Sequence, residues 1–164
     1  MKVRVIVFAL LLFATGLLGA KERSSKPVNG KRFDAAAQAA LAAMRARAAQ
    51  LNIQGVAVVS FAPGETIQSW MSQMVVVGHM TDHTNGDKGN NLLAIAYAKA
   101  SEMANTLKDS GTSGKQPMTG EFGWQGGVMT RVPNGYIIVA FSGGKSEDDV
   151  EVSKAGLAVL KSRL

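Results

Sequence analysis

An α+β domain, with an antiparallel sheet and helices packed on it, is the fold class this chain predicts. Three observations carry it. Helix signals occupy three stretches, near 34–51, 91–108 and 146–160. Between them lie four runs rich in Val, Ile, Phe and other strand formers, at 54–61, 66–77, 127–131 and 136–142. The runs of each pair are joined by short turn signals, Pro63-Gly64-Glu65 and Pro133-Asn134-Gly135, so each pair reads as a hairpin. The order helix, hairpin, helix, hairpin, helix follows, as one domain over 34–164 with no internal repeat.

The chain begins with the layout of a secretory signal peptide. Lys2 and Arg4 precede an apolar run from Val5 to Phe13, and the stretch ends in the small residues Gly19-Ala20. The uncharged segment is short for a membrane span, and the chain turns polar at once with Lys21-Glu22-Arg23. Cleavage after Ala20 is expected, which places the mature protein in the periplasm or outside the cell, with no membrane attachment. Residues 21–33 then read as a flexible leader.

Without Lys2 and Arg4 the chain keeps 16 basic and 12 acidic residues, a formal charge of +4. The basic residues are scattered and no run interleaves them with aromatics, which argues against a nucleic-acid partner. There is no cysteine. Stability in an oxidising compartment therefore has to come from core burial and from self-association.

Asp34 is expected to cap the first helix, whose Leu41, Met44, Ala48 and Leu51 fall on one face. In the second β run, Ser69, Met71 and Gln73 alternate with Trp70, Ser72 and Met74, predicting one polar and one apolar face. Met74-Val75-Val76-Val77 is apolar on both faces and needs cover from a helix or from another subunit. That need predicts a homo-oligomer. The middle helix puts Leu92, Ile95, Ala96, Met103 and Leu107 on or near one face and ends at Asp109-Ser110-Gly111.

The last element begins with Tyr136-Ile-Ile-Val-Ala-Phe141, passes Ser142-Gly143-Gly144-Lys145 and enters a helix at Ser146-Glu147-Asp148-Asp149. Ser146 is expected to cap that helix, with Asp149 reaching back as its capping-box partner. The glycine pair reads first as a tight strand-to-helix turn, because it lacks the spacing and lysine of a phosphate loop.

Ser142-Gly143-Gly144, Glu147, Asp149 and Lys154-Ala155-Gly156-Leu157, preceded by Gly126-Gly127-Val128, resemble the C-terminal signature of the GlcG-like, or haem-degrading domain, family. The resemblance extends more weakly over the alanine-rich first helix and Ala98-Lys99-Ala100, covering residues 34 to 160. It implies a profilin-like sheet with a fifth strand, and Gly126 and Gly127 as positions beside a ligand. Such proteins include extracellular haem-binding sensory proteins and a domain attached to cobalamin adenosyltransferases. The chain departs from the pattern at Met129, where a proline is usual, and at Ala140-Phe141, in place of Gly-Val.

Residues 78–91 hold both histidines, His79 and His83, with Met80, Asp82, Asn85 and Asp87, broken by Gly86 and Gly89. A long loop with convergent polar side chains points to function rather than connection. Two histidines four apart share a face only in a helix, which these glycines oppose, so zinc is disfavoured. With no cysteine, haem iron has His79, Met80 and His83 as ligands within this loop, His79 first because it follows a strand directly. A second long loop, 111–125, offers Met118, Phe122 and Trp124 either to flank a flat ligand or to plug the core. No serine or cysteine sits in a nucleophile's setting. The functional expectation is thus an exported module binding a haem-like tetrapyrrole as a small-molecule ligand. The alternative is a binding domain for another small molecule or a partner protein; haem degradation, the family name's literal reading, comes third.

Overall fold

The computed structural model describes residues 27–84 and 88–164, so the expected signal peptide and residues 21–26 of the expected leader lie outside the described residues. Three helices, α1 (Gly30–Gln50), α2 (Leu92–Thr106) and α3 (Ser146–Arg163), surround a sheet built from β1 (Gly55–Pro63), β2 (Met71–Val77), β5 (Gly127–Val132) and β6 (Gly135–Ser142). Two further two-residue strands, β3 (Thr81–Asp82) and β4 (Asn90–Asn91), pair with each other. The main sheet has the order β2-β1-β6-β5, and every neighbour is antiparallel. The expected fifth strand is absent from this sheet among the described residues; the short β3–β4 pair stands apart from it.

Alternation along the central strands sorts their side chains to two faces. Ala57, Val59 and Phe61 of β1 and Ile137, Val139 and Phe141 of β6 meet the buried faces of α1 and α3. Val56 and Val58 pack on Leu92, Ile95 and Ala96 of α2, and Ile138 and Ala140 on Ala100 and Met103. Helices therefore cover both faces, which is why β1 and β6 read as unbroken apolar runs. The α1 to α3 contact is close. At Gly156 an added Cβ would stand 2.6 Å from Met44 Sδ, so only glycine lets the two helices approach this far.

Four local expectations are corrected. Helix α1 begins four residues before Asp34, because Asn29 Oδ1 accepts from Arg32 N at 3.0 Å and caps it. Asp34 accepts instead from Gln73 Nε2 at 2.8 Å. Ser146 is the first helical residue of α3, not its cap; Lys145 holds that position and makes no side-chain capping bond. Residues 66–70 are not strand, and β2 is mixed on both faces: Met71, Val75 and Val77 join the α1/α3 core, whereas Ser72 bonds Ser60 at 3.0 Å and Tyr97 at 3.1 Å.

The cover required by Met74–Val77 comes from helices on both sides, with Met74 packed on the α2 cluster and Val75 and Val77 on the α1/α3 cluster. Val76 alone of the four remains exposed. No helix among the described residues is long and apolar enough to cross a membrane.

Candidate functional site

Lys99 lies on the apolar face of α2, one turn after Ile95 and one turn before Met103, and is only 3% exposed. Its Nζ donates to Asp149 Oδ2 and to the Phe141 carbonyl, each at 2.8 Å. Asp149, in the first turn of α3, is 2% exposed and also accepts from Gly144 N at 2.8 Å through Oδ1. One carboxylate thus ties α2, the end of β6 and the start of α3 together. Burial pushes the Asp149 carboxyl above its ordinary range and the Lys99 ammonium below its own; their mutual attraction offsets only part of each shift.

The glycines around this pair have steric reasons. At Gly126, with φ +137°, a Cβ would run into Lys99 Nζ, and at Gly143 it would meet the Gln54 carbonyl just before β1. Gly127 N donates to Ser110 Oγ at 2.8 Å, and the Gly126 carbonyl accepts from Ser153 Oγ at 2.7 Å. Both glycines expected beside a ligand are therefore buried in the frame. Neither is among the residues that line the cavity beside the pair.

Beside the pair is a cavity of about 200 Å³. The β3–β4 segment contributes Asp82 and Asn90, and α2 contributes Leu92 and Ile95 along with Lys99. The 107–126 loop supplies Trp124 and Gln125, and the turn into α3 supplies Ser142 to Gly144, Ser146 and Asp149. Phe122 stacks on Trp124 at 4.8 Å between ring centroids, which holds the indole in place at the rim.

The histidines flank β3 in the β3–β4 segment without joining the wall of this cavity. His79 is exposed, and its Nδ1 lies 2.7 Å from Gln54 Oε1. An amide oxygen accepts, so in this contact Nδ1 is the donor and Nε2 is the ring nitrogen not engaged by Gln54. Met80 is 41% exposed, while its carbonyl accepts from Leu92 N at 2.9 Å and ties the loop to α2. His83 packs against Gly89, where a Cβ would stand 2.7 Å from the imidazole. Asp82 is held below the usual carboxylate range, first by hydrogen bonds from Thr84 N and Oγ1, both 2.9 Å, and less by the nearby His79 and His83.

The structure thus gathers His79 and His83 around Asp82 but puts neither imidazole in the cavity wall. Among the described residues no three His, Asp or Glu side chains are grouped to hold a metal ion.

Sequence reasoning missed the Lys99–Asp149 pair. The legible signal was the spacing: Leu92, Ile95, Lys99 and Met103 follow one helical stripe, and a lysine on a buried stripe requires a buried carboxylate.

Three helices and a four-stranded antiparallel sheet, with a glycine turn feeding the last helix, define a domain with the GlcG-like (DUF336) fold. No family model and no curated protein matches the sequence. Among solved structures, the chain is similar to Klebsiella pneumoniae protein ORFY of the DUF336 family, with a TM-score of 0.58 and 15% identity over 87% of this chain and 96% of that one. It is also similar to PduOC, solved as a haem complex, with a TM-score of 0.49 and 15% identity over 82% and 95% of the two chains.

Proposed function

We propose that this protein is an exported binding module for a haem-like tetrapyrrole, with His79 as the axial ligand. The observation that carries this reading is the 2.7 Å contact of His79 Nδ1 with Gln54 Oε1, which holds the exposed imidazole through one ring nitrogen and leaves Nε2 as the nitrogen available to a ligand. Histidines that bind metals are commonly held this way through their other ring nitrogen. Met80 and Val76, both exposed, add apolar surface near the ligand. A porphyrin is much larger than the 200 Å³ cavity, so it lies against the surface and is not swallowed by the fold.

Hemin titration of the purified protein tests the reading. His79→Ala is expected to weaken hemin binding at least tenfold and to move the Soret band, His83→Ala to have a smaller effect, and Gln54→Leu to fall between them. An unchanged spectrum in the His79→Ala/His83→Ala double variant overturns it. Export is tested separately: the protein isolated from its natural host is expected to start at or near Lys21, and an intact Met1 on cytoplasmic protein contradicts that.

A further inference from the structure

The cavity beside Lys99 is a built site that a tetrapyrrole does not explain. At about 30 Å³ per water, its 200 Å³ has room for on the order of six or seven waters, the space of one pyranose-sized ring.

Its electrostatics select the ligand's charge. The Lys99 ammonium is neutralised by Asp149 at 2.8 Å. Two opposing fields then remain on the walls. Asp82 presents a carboxylate that disfavours anions, while Ser146 marks the positive N-terminal end of the 18-residue α3, which disfavours cations. The walls also offer both hydrogen-bonding senses. Asn90 and Gln125 have amides that donate and accept, the Ser142 hydroxyl does either, and Asp82 accepts. A hydroxyl group matches such a surface because it too does both.

The rim adds an aromatic plate. Trp124 is half exposed yet immobilised by Phe122, and an indole face packs well against the C–H face of a sugar ring.

We infer that this cavity binds a neutral, polyhydroxylated molecule of monosaccharide size, stacked on Trp124 and hydrogen-bonded by Asp82, Asn90 and Gln125. The site is separate from His79, and the inference does not rest on the tetrapyrrole reading. The Lys99–Asp149 pair forms its floor and positions the glycine turn.

The full mature chain, titrated by calorimetry with D-glucose, D-galactose, D-mannose and myo-inositol, tests this, with acetate and phosphate as anionic controls. At least one neutral polyol is expected to bind saturably below about 1 mM, an ordinary affinity for so small a contact. Trp124→Ala and Asn90→Ala are each expected to weaken it at least tenfold while leaving hemin titration unchanged. Both lie where replacement spares the core, and matching urea midpoints with wild type establish that they fold. Absence of saturable binding by all four polyols overturns the inference. So does binding that survives Trp124→Ala undiminished, or binding of the anions alone. Loss of hemin binding without loss of polyol binding, in His79→Ala, sinks neither reading; loss of both together in that variant overturns the separation of the two sites.

Discussion

Two regions of this molecule carry titratable side chains, and they are built in opposite ways. The Lys99–Asp149 pair comes from residues 50 apart in sequence, is almost wholly buried, and is held by backbone groups of the β6–α3 turn. The His79–His83 loop takes both imidazoles from five consecutive residues and leaves them exposed, with His79 held by a single side-chain contact to Gln54 and Asp82 between them held by Thr84. The contrast separates what the fold depends on from what a ligand reaches. A buried ion pair is costly to break and gives a fixed floor; an exposed imidazole is nearly free to change and keeps a lone pair available.

The sharpest way to break this comparison is to delete one partner of the pair. Lys99→Met or Asp149→Asn is expected to destabilise the domain by about 3–5 kcal/mol, since either leaves a buried polar or charged group unmatched. The double replacement Lys99→Met/Asp149→Leu is expected to recover most of that loss, whereas His79→Ala costs no more than about 0.5 kcal/mol. Urea unfolding midpoints measure all four. Equal losses for Asp149→Asn and His79→Ala would erase the distinction.

A smaller effect comes from pH. Burial raises the Asp149 carboxyl above its unfolded value, so the folded chain holds that proton more tightly than the unfolded one. Its contribution to stability is full below the unfolded pKa of about 3.9 and is lost as pH rises through the folded value. The stability of wild type relative to Asp149→Asn is therefore expected to grow as pH falls from 7 toward 4. The exposed Glu151, lowered by its Lys154 partner at 3.1 Å, has the opposite sign: its contribution is present above its unfolded pKa and is lost on acidification. Unfolding curves of wild type, Asp149→Asn and Glu151→Gln at the two pH values compare the buried case with the exposed one. A relative stability of wild type that shrinks on acidification contradicts the assigned direction.

The smallest expected effect concerns Ser146, three residues before the pair's carboxylate. Ser146 makes no capping bond, so Ser146→Ala is expected to shift stability by no more than about 0.5 kcal/mol, well short of the ~1 kcal/mol of a true cap. Thermal melts decide it. A loss near 1 kcal/mol would show that Ser146 does cap α3 and that the Asp149 carboxylate is freer than its two bonds imply.

Element order was legible because local chemistry sets it. Alternating β-branched runs, alanine-rich stretches and the Asn134-Gly135 turn each act within a few residues, and the structure has a helix, a hairpin, a helix, a hairpin and a helix where those signals stand. The same local logic correctly read Gly143 as a turn residue. It failed at helix starts: Asn29 and Asp34 are both good caps by residue type, and at α3 the better cap by type, Ser146, gives way to Lys145 because the backbone turns one residue earlier.

The rest was settled only by packing. Whether Asp149 caps a helix or neutralises a lysine depends on where α2 lies relative to α3, and no window of neighbouring residues contains that distance. Likewise Gly126 could be a ligand's neighbour or a space left for Lys99 Nζ, and only the crossing of β5 by α2 makes it the second. Side-chain type and spacing act over one or two turns of chain, whereas burial, the removal of water that shifts these two pKa values, and the cavity between four segments arise when distant segments meet.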